Sequence, residues 1–243
     1  MNTKIGRAGN FSSSKINKLT KTSTGGKGFG VPALTYIEEK RMEKRLQRQL
    51  EKETTGRAAM WGQFIQHRVT NVLLDSGCKP TKDVRRAHPT VENWTGAEDY
   101  VRSEPFSAMG EIKCFELKNF VKTHEAATIG WATLKDDCPE VAWQLVSHVI
   151  LGLQNKVITE PKAELTLYVP YLEELSAIRA EADQGDTPYE FQWIKYAKDE
   201  ELPYLIKGAD FQNLTSFVFD IPKEDMDFLT SRVELANKFL NGK

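Results

Sequence analysis

The stretch W-T-G-A-E-D-Y-V-R-S-E-P-F-S-A-M-G-E-I-K-C-F-E-L-K, Trp94 to Lys118, decides how this chain folds. It reads as a β-hairpin: Tyr100-Val101 and Met109 to Leu117 are strand-like, and Arg102 to Ala108 between them holds turn residues. Side chains two apart on a strand share a face. Glu111 and Lys113 therefore project together, while Ile112 and Cys114 point the other way, into packing. If the hairpin sets Asp99 beside Glu111, two carboxylates surround one point. Such a pair repels itself unless a cation neutralises it or one acid stays protonated, and a divalent metal is the natural third party. All-oxygen ligands favour a hard ion, Mg2+ or Mn2+.

Working outward, the flanks alternate helix and strand. A helix is expected from about Pro32 to Glu53, with Met42, Leu46 and Leu50 forming one narrow apolar stripe among Lys, Arg and Glu. A second covers Arg57 to Asp75, where Trp61, Phe64, Ile65, Val69, Val72 and Leu73 recur at helical spacing before Ser76-Gly77. After the hairpin, a short helix is expected around His124 to Ala127. A longer one starts near Pro139, with Val141, Leu145, Val149 and Leu153 facing inward and Gln144 beside that stripe. Ala163 to Tyr171 and Phe217 to Ile221 read as strands, Tyr171 to Ala182 and Pro222 to Leu240 as helices. This order predicts an α/β domain: a central mixed β-sheet flanked by helices on both faces.

The 243 residues, 40% of them hydrophobic, suit one sizeable domain with a real core. Three cysteines, Cys78, Cys114 and Cys138, have no C-x-x-C spacing, which argues against a disulfide framework or a zinc cluster and fits a reducing, cytoplasmic setting. No apolar run approaches the ~20 residues of a membrane span, and the start lacks the apolar core of a signal peptide. The net charge of −1 is uneven: residues 1–30 carry six Lys or Arg and no acid, on an otherwise acidic chain. Residues 1–31, rich in Ser, Thr, Gly and Lys, therefore read as a flexible basic arm on a domain spanning 32–243, and a cationic arm suggests a polyanionic partner.

The spacing G-x-x-D followed by E-x-K in an apolar strand, Gly96 to Asp99 and Glu111 to Lys113, resembles the PD-(D/E)XK nuclease superfamily. The flanks resemble its lambda-type phage exonuclease and YqaJ-like recombinase branch. There an early helix bears W-G-x-x-x-E, matched by Trp61, Gly62 and Gln66; the strand ends E-x-K-C, matched through Cys114; and a later helix bears a glutamine, matched by Gln144. Two positions depart from the pattern. Gln66 stands where the branch has a glutamate, so a charged ligand is missing and a second metal would be held more weakly, and Glu98 stands where a proline often precedes the aspartate. The resemblance implies a magnesium-dependent deoxyribonuclease, an exonuclease in preference to a structure-specific endonuclease, with a catalytically silent binding relative as the remaining alternative. It implies Asp99, Glu111 and the Ile112 carbonyl as Mg2+ (or Mn2+) ligands, Lys113 and Gln144 as catalytic partners and Gln66 in support. It leaves room for a ring-shaped homo-oligomer and for a single-strand annealing or phage replication partner. Arg57 and Lys118 flank the site in sequence and are the expected DNA-phosphate contacts, with Arg85, Arg86 and Lys122 as further candidates. Lone histidines are more often packed or hydrogen-bonded than catalytic, and His67, His88, His124 and His148 are read so.

Overall fold

The structure, a computed structural model, describes residues 6–26, 28–50, 56–81 and 84–242. Parts of the expected arm and the far end of the first expected helix lie outside them. Eight helices and eight strands are traced: β1 (Phe11–Ser12), α1 (Asn17–Thr20), α2 (Val31–Leu46), α3 (Arg57–Asp75), β2 (Cys78–Pro80), β3 (Arg86–Ala87), β4 (Trp94–Gly96), β5 (Tyr100–Arg102), β6 (Ala108–Lys113), α4 (Leu117–Ile129), α5 (Trp131–Asp137), α6 (Pro139–Gln154), β7 (Lys162–Tyr168), α7 (Leu175–Ala182), β8 (Leu214–Asp220) and α8 (Lys223–Leu240). Two sheets form, with strand orders β2-β5-β6-β7-β8 and β1-β4-β3.

In the larger sheet β6 and β7 run parallel and every other pair antiparallel, so it is mixed, as expected. A parallel pair needs a long crossover, which α4, α5 and α6 supply. The side-chain alternation of β6 then separates two apolar cores. Met109 faces the larger one with α6, α4, α8 and α2, while Ile112 faces a second one with α3 and α7. Gly110 in β6 has a specific cause. A Cβ there would lie 2.2 Å from the Tyr100 ring, because that ring crosses β6 to bond Thr166 Oγ1 on β7 at 2.8 Å. The Arg102 guanidinium makes the same crossing, pairing bidentately with buried Glu164 at 2.6 and 2.9 Å.

Three expectations about the flanks are corrected. The described part of residues 1–31 is packed and does not hang free as an arm: Phe11, Ile16 and Leu19 are 0% exposed. Each such burial contributes about 1.5–3 kcal/mol. β1 pairs with β4, and Arg232 of α8 clasps the segment through the carbonyls of Leu19, Lys21 and Gly28. Helix α2 buries Ala33, Tyr36, Ile37, Lys40 and Glu43 and turns the supposed apolar stripe outward, with Met42 and Leu46 41% and 52% exposed. Glu43 can be buried because Lys40 Nζ and the Gly9 amide both donate to it at 2.9 Å. Finally, β6 ends at Lys113, and residues 117–129 are one long helix that buries Phe120, Thr123, Ala126 and Ala127.

Candidate active site

The hairpin register decides the site. Tyr100 pairs with Gly110 and the Asp99 amide donates to the Gly110 carbonyl at 3.0 Å. One step further along that register Asp99 stands opposite Glu111. The chain leaves the ladder there, and the Asp99 carboxylate takes over from the strand by accepting the Ile112 amide at 2.7 Å. Since amide and carbonyl of a strand residue point to one side, the Ile112 carbonyl is turned toward Asp99 as well.

Glu111, 5% exposed, points at α6. Its Oε1 accepts Lys113 Nζ at 2.7 Å and Gln144 Nε2 at 2.6 Å. Lys113 Nζ also donates to Gln144 Oε1 at 2.9 Å, which closes a ring of three side chains and fixes the amide's orientation. Two of the three ammonium donors are thereby engaged. One turn along α6, His148 is 1% exposed with Nδ1 3.3 Å from Glu111 Oε2. Gln66 on α3 comes within hydrogen-bonding reach of Asp99. Glu98, in the link between β4 and β5, is buried and pairs with Arg86 at 2.7 Å.

The electrostatics follow from burial. Desolvation, then the neighbouring Glu111, push Asp99 up to about 7 against the Ile112 amide, Lys113 and Gln66. Desolvation also raises Glu111, against the pull of Lys113. Burial disfavours the Lys113 charge, but Glu111 and Asp99 outweigh it and hold its pKa above the ordinary value. His148, desolvated with Glu98 and Asp99 only partly compensating, is lowered to about 4 and is neutral.

These groups line one groove of about 480 Å³. Its other wall comes from the N-terminal segment, with Arg7 and Lys15, and from α2, where Lys40 is paired with Glu39 and Glu43; Arg85 lines it as well. Arg85 is lowered by desolvation and by neighbouring Arg7, two like charges in one wall. The two expected phosphate contacts, Arg57 and Lys118, are not among the groove residues. Arg57 stacks on Trp193 at 5.1 Å and meets Glu201 at 3.5 Å beside a different cavity, and Lys118 is an exposed residue of the first turn of α4. His67, against Phe64 O and Glu181, also lies elsewhere. Arg7 and Lys15 went unnamed in sequence as site residues, and their only sequence signal is the unbalanced charge of residues 1–30.

Among the described residues no three His, Cys, Asp or Glu side chains already converge into a metal cage. The test of fit is therefore the buried atom with nothing to bond. Glu111 Oε2 is inaccessible and has no hydrogen-bond partner, a costly state for a carboxylate oxygen. It faces His148 Nδ1 at 3.3 Å, and Asp99, a second acid, is close enough for Glu111 to raise its pKa. That donor set suits a divalent cation.

No protein-family model matches the chain, and no curated protein matches it by sequence. Solved structures do. An alkaline exonuclease (LHK-Exo) from Laribacter hongkongensis is 12% identical with a TM-score of 0.61, the match covering 97% of this chain and 90% of that one. Its complex with dAMP gives 0.62 at 12% identity over 97% and 90%. A phage-related exonuclease from Haemophilus somnus 129PT is 13% identical with a TM-score of 0.62, over 96% and 94% of the two chains. The chain therefore has the fold of the lambda-type phage exonucleases.

Proposed function

We propose that the protein is a divalent-metal-dependent deoxyribonuclease that digests DNA from an end. The observation that carries the reading is the closed triangle of Glu111, Lys113 and Gln144, with Asp99 across the hairpin, in a groove whose lining includes Arg7, Lys15 and Arg85. Its fold, shared with exonucleases, favours an end-directed reaction over internal nicking.

Asp99, Glu111 and the Ile112 carbonyl would hold Mg2+ or Mn2+. Bound there, the ion supplies a water of lowered pKa and charge compensation at the scissile phosphate. Lys113 presents its remaining N–H donor to the attacking water or to a phosphate oxygen, where charge accumulates as the bond breaks. Gln144 keeps that ammonium from swinging away. Arg7, Lys15 and Arg85 meet the backbone phosphates and set the register of the strand in the groove.

Incubation with Mg2+ or Mn2+ and two substrates, linear duplex and covalently closed circular DNA, tests the reading. Release of nucleotides from the linear molecule with circles left intact is the expected result. Nicked circles would assign an endonuclease, and intact DNA of both forms would assign a silent binding module.

A further inference from the structure

His148 has no part in the chemistry described so far. It lies one turn after Gln144 on α6, lines the same groove as Asp99 and Glu111 and is 1% exposed. Neither ring nitrogen has a hydrogen-bond partner. Nδ1 faces Glu111 Oε2 at 3.3 Å, and that oxygen is unpartnered too. Buried polar atoms are nearly always bonded, so two orphans facing one another at this separation call for a shared partner. A hydrogen bond between them is poorly served, because 3.3 Å is beyond the usual N–H···O range. Two cis ligands of one ion, each about 2.1–2.2 Å from it, stand roughly 3.0–3.3 Å apart.

The surroundings reserve the same place. Glu111 spends Oε1 on Lys113 and Gln144, leaving Oε2 uncommitted. The turn of α6 that carries the imidazole is anchored, since Ser147, its neighbour in the chain, accepts Trp94 Nε1 at 2.8 Å and meets Ser13 Oγ at 2.8 Å. Gly96 makes room for the ring, as a Cβ there would come within 3.3 Å of His148 Cδ2.

We propose that His148 is a ligand of the catalytic ion, bound through Nδ1 beside Glu111 Oε2, and that it gives the site a preference for Mn2+ over Mg2+. Imidazole suits transition-metal ions, whereas Mg2+ takes oxygen. The inference rests on the reading that this groove holds a divalent ion, so its test must separate the two.

The full chain, labelled with 15N at histidine or left at natural abundance, is loaded with Mn2+ and examined by pulsed electron paramagnetic resonance beside calorimetric titrations with Mn2+ and Mg2+. A nitrogen coupling that changes with the isotope is expected, together with tighter binding of Mn2+. In His148→Asn, which keeps a polar group near Nδ1, the coupling should vanish and Mn2+ affinity should fall about 10–100-fold. Mn2+ binding that depends on Asp99 but carries no histidine coupling would overturn the ligand role and leave the nuclease reading standing. No Mn2+ binding, or binding indifferent to Asp99→Asn, would overturn both. Of the four histidines only His148 lines this groove, so the isotope comparison on the unsubstituted chain decides the matter even if His148→Asn fails to fold.

Discussion

Removing a supposed ligand should make the metal-free protein more stable. Asp99 is raised from 3.8 to about 7 by desolvation and by Glu111, so below about pH 4 both folded and unfolded chains carry its proton and the charge costs nothing. Between pH 4 and 7 the unfolded chain has lost the proton and the folded chain retains it, so native stability falls as pH rises. Above 7 the deficit is complete. At 1.36 kcal/mol per pH unit of separation the upper bound is about 4 kcal/mol, and relaxation around the charge brings the expectation to about 2–4 kcal/mol. Asp99→Asn removes that cost while keeping an acceptor for the Ile112 amide, now 2.7 Å from Asp99 Oδ2. Urea denaturation in chelator should therefore show the variant more stable at pH 8, with the advantage shrinking toward pH 4. In saturating Mn2+ the order should reverse, because only the parent gains the binding free energy of the ion. A variant no more stable than the parent at pH 8, or an advantage independent of pH, would refute the claim that Asp99 is a buried acid pressed against a second one.

Lys113→Ala should lower kcat for linear duplex by about 10²–10³ or more with Mn2+ affinity changed only a few-fold; cleavage within a factor of a few of the parent would take the ammonium out of the chemistry. Arg85→Ala should weaken DNA binding for every sequence alike and reduce the slope of log affinity against log salt by about 1; an unaltered slope would route the DNA elsewhere. Gly96→Ala puts a methyl 2.2 Å from Ser13 Oγ and 2.7 Å from Leu151 Cδ1, and the overpacking should cost about 1–3 kcal/mol in urea denaturation. Parental stability in that variant would mean that the N-terminal segment yields easily.

How much of this was legible in the sequence depended on whether the signal was local. The hairpin and its acids were, because strand alternation assigns faces residue by residue: Ile112 joins the packed core of α3 and Glu111 and Lys113 the groove. Gln144 was, because it rides a strongly periodic helix. The N-terminal segment was not. Phe11, Ile16, Leu19 and Phe29 are spaced without any period among Ser, Lys and Gly, and they bury only because β4, α6 and α8 supply the surface. Helix α2 misled for the opposite reason. Its visible stripe of Met42 and Leu46, with Leu50 beyond its end, faces solvent, while the face turned inward includes Lys40 and Glu43, and Glu43 accepts both Lys40 Nζ and the Gly9 amide far away in sequence. Arg57 and Lys118 are close to the site along the chain but do not line the groove, whereas Arg7 and Lys15 reach it from the other end of the sequence.

The charge of the site gives the departure at Gln66 a physical meaning. Asp99 and Glu111 bring two negative charges when ionised and Lys113 returns one positive, so these three side chains sum to −1 before any ion enters. One divalent cation turns that into a single positive charge, matched to the single negative charge of a phosphodiester. A glutamate at position 66, reaching Asp99 as Gln66 does, would add a third carboxylate to a place where burial and then Glu111 already push Asp99 up to about 7, and a second cation would be needed to hold it. Glutamine keeps the donor and acceptor geometry and omits the charge. On the proposed reading, the missing helical carboxylate suits a site that works with one ion, and the imidazole of His148, 3.3 Å from Glu111 Oε2, would add a ligand without adding a charge.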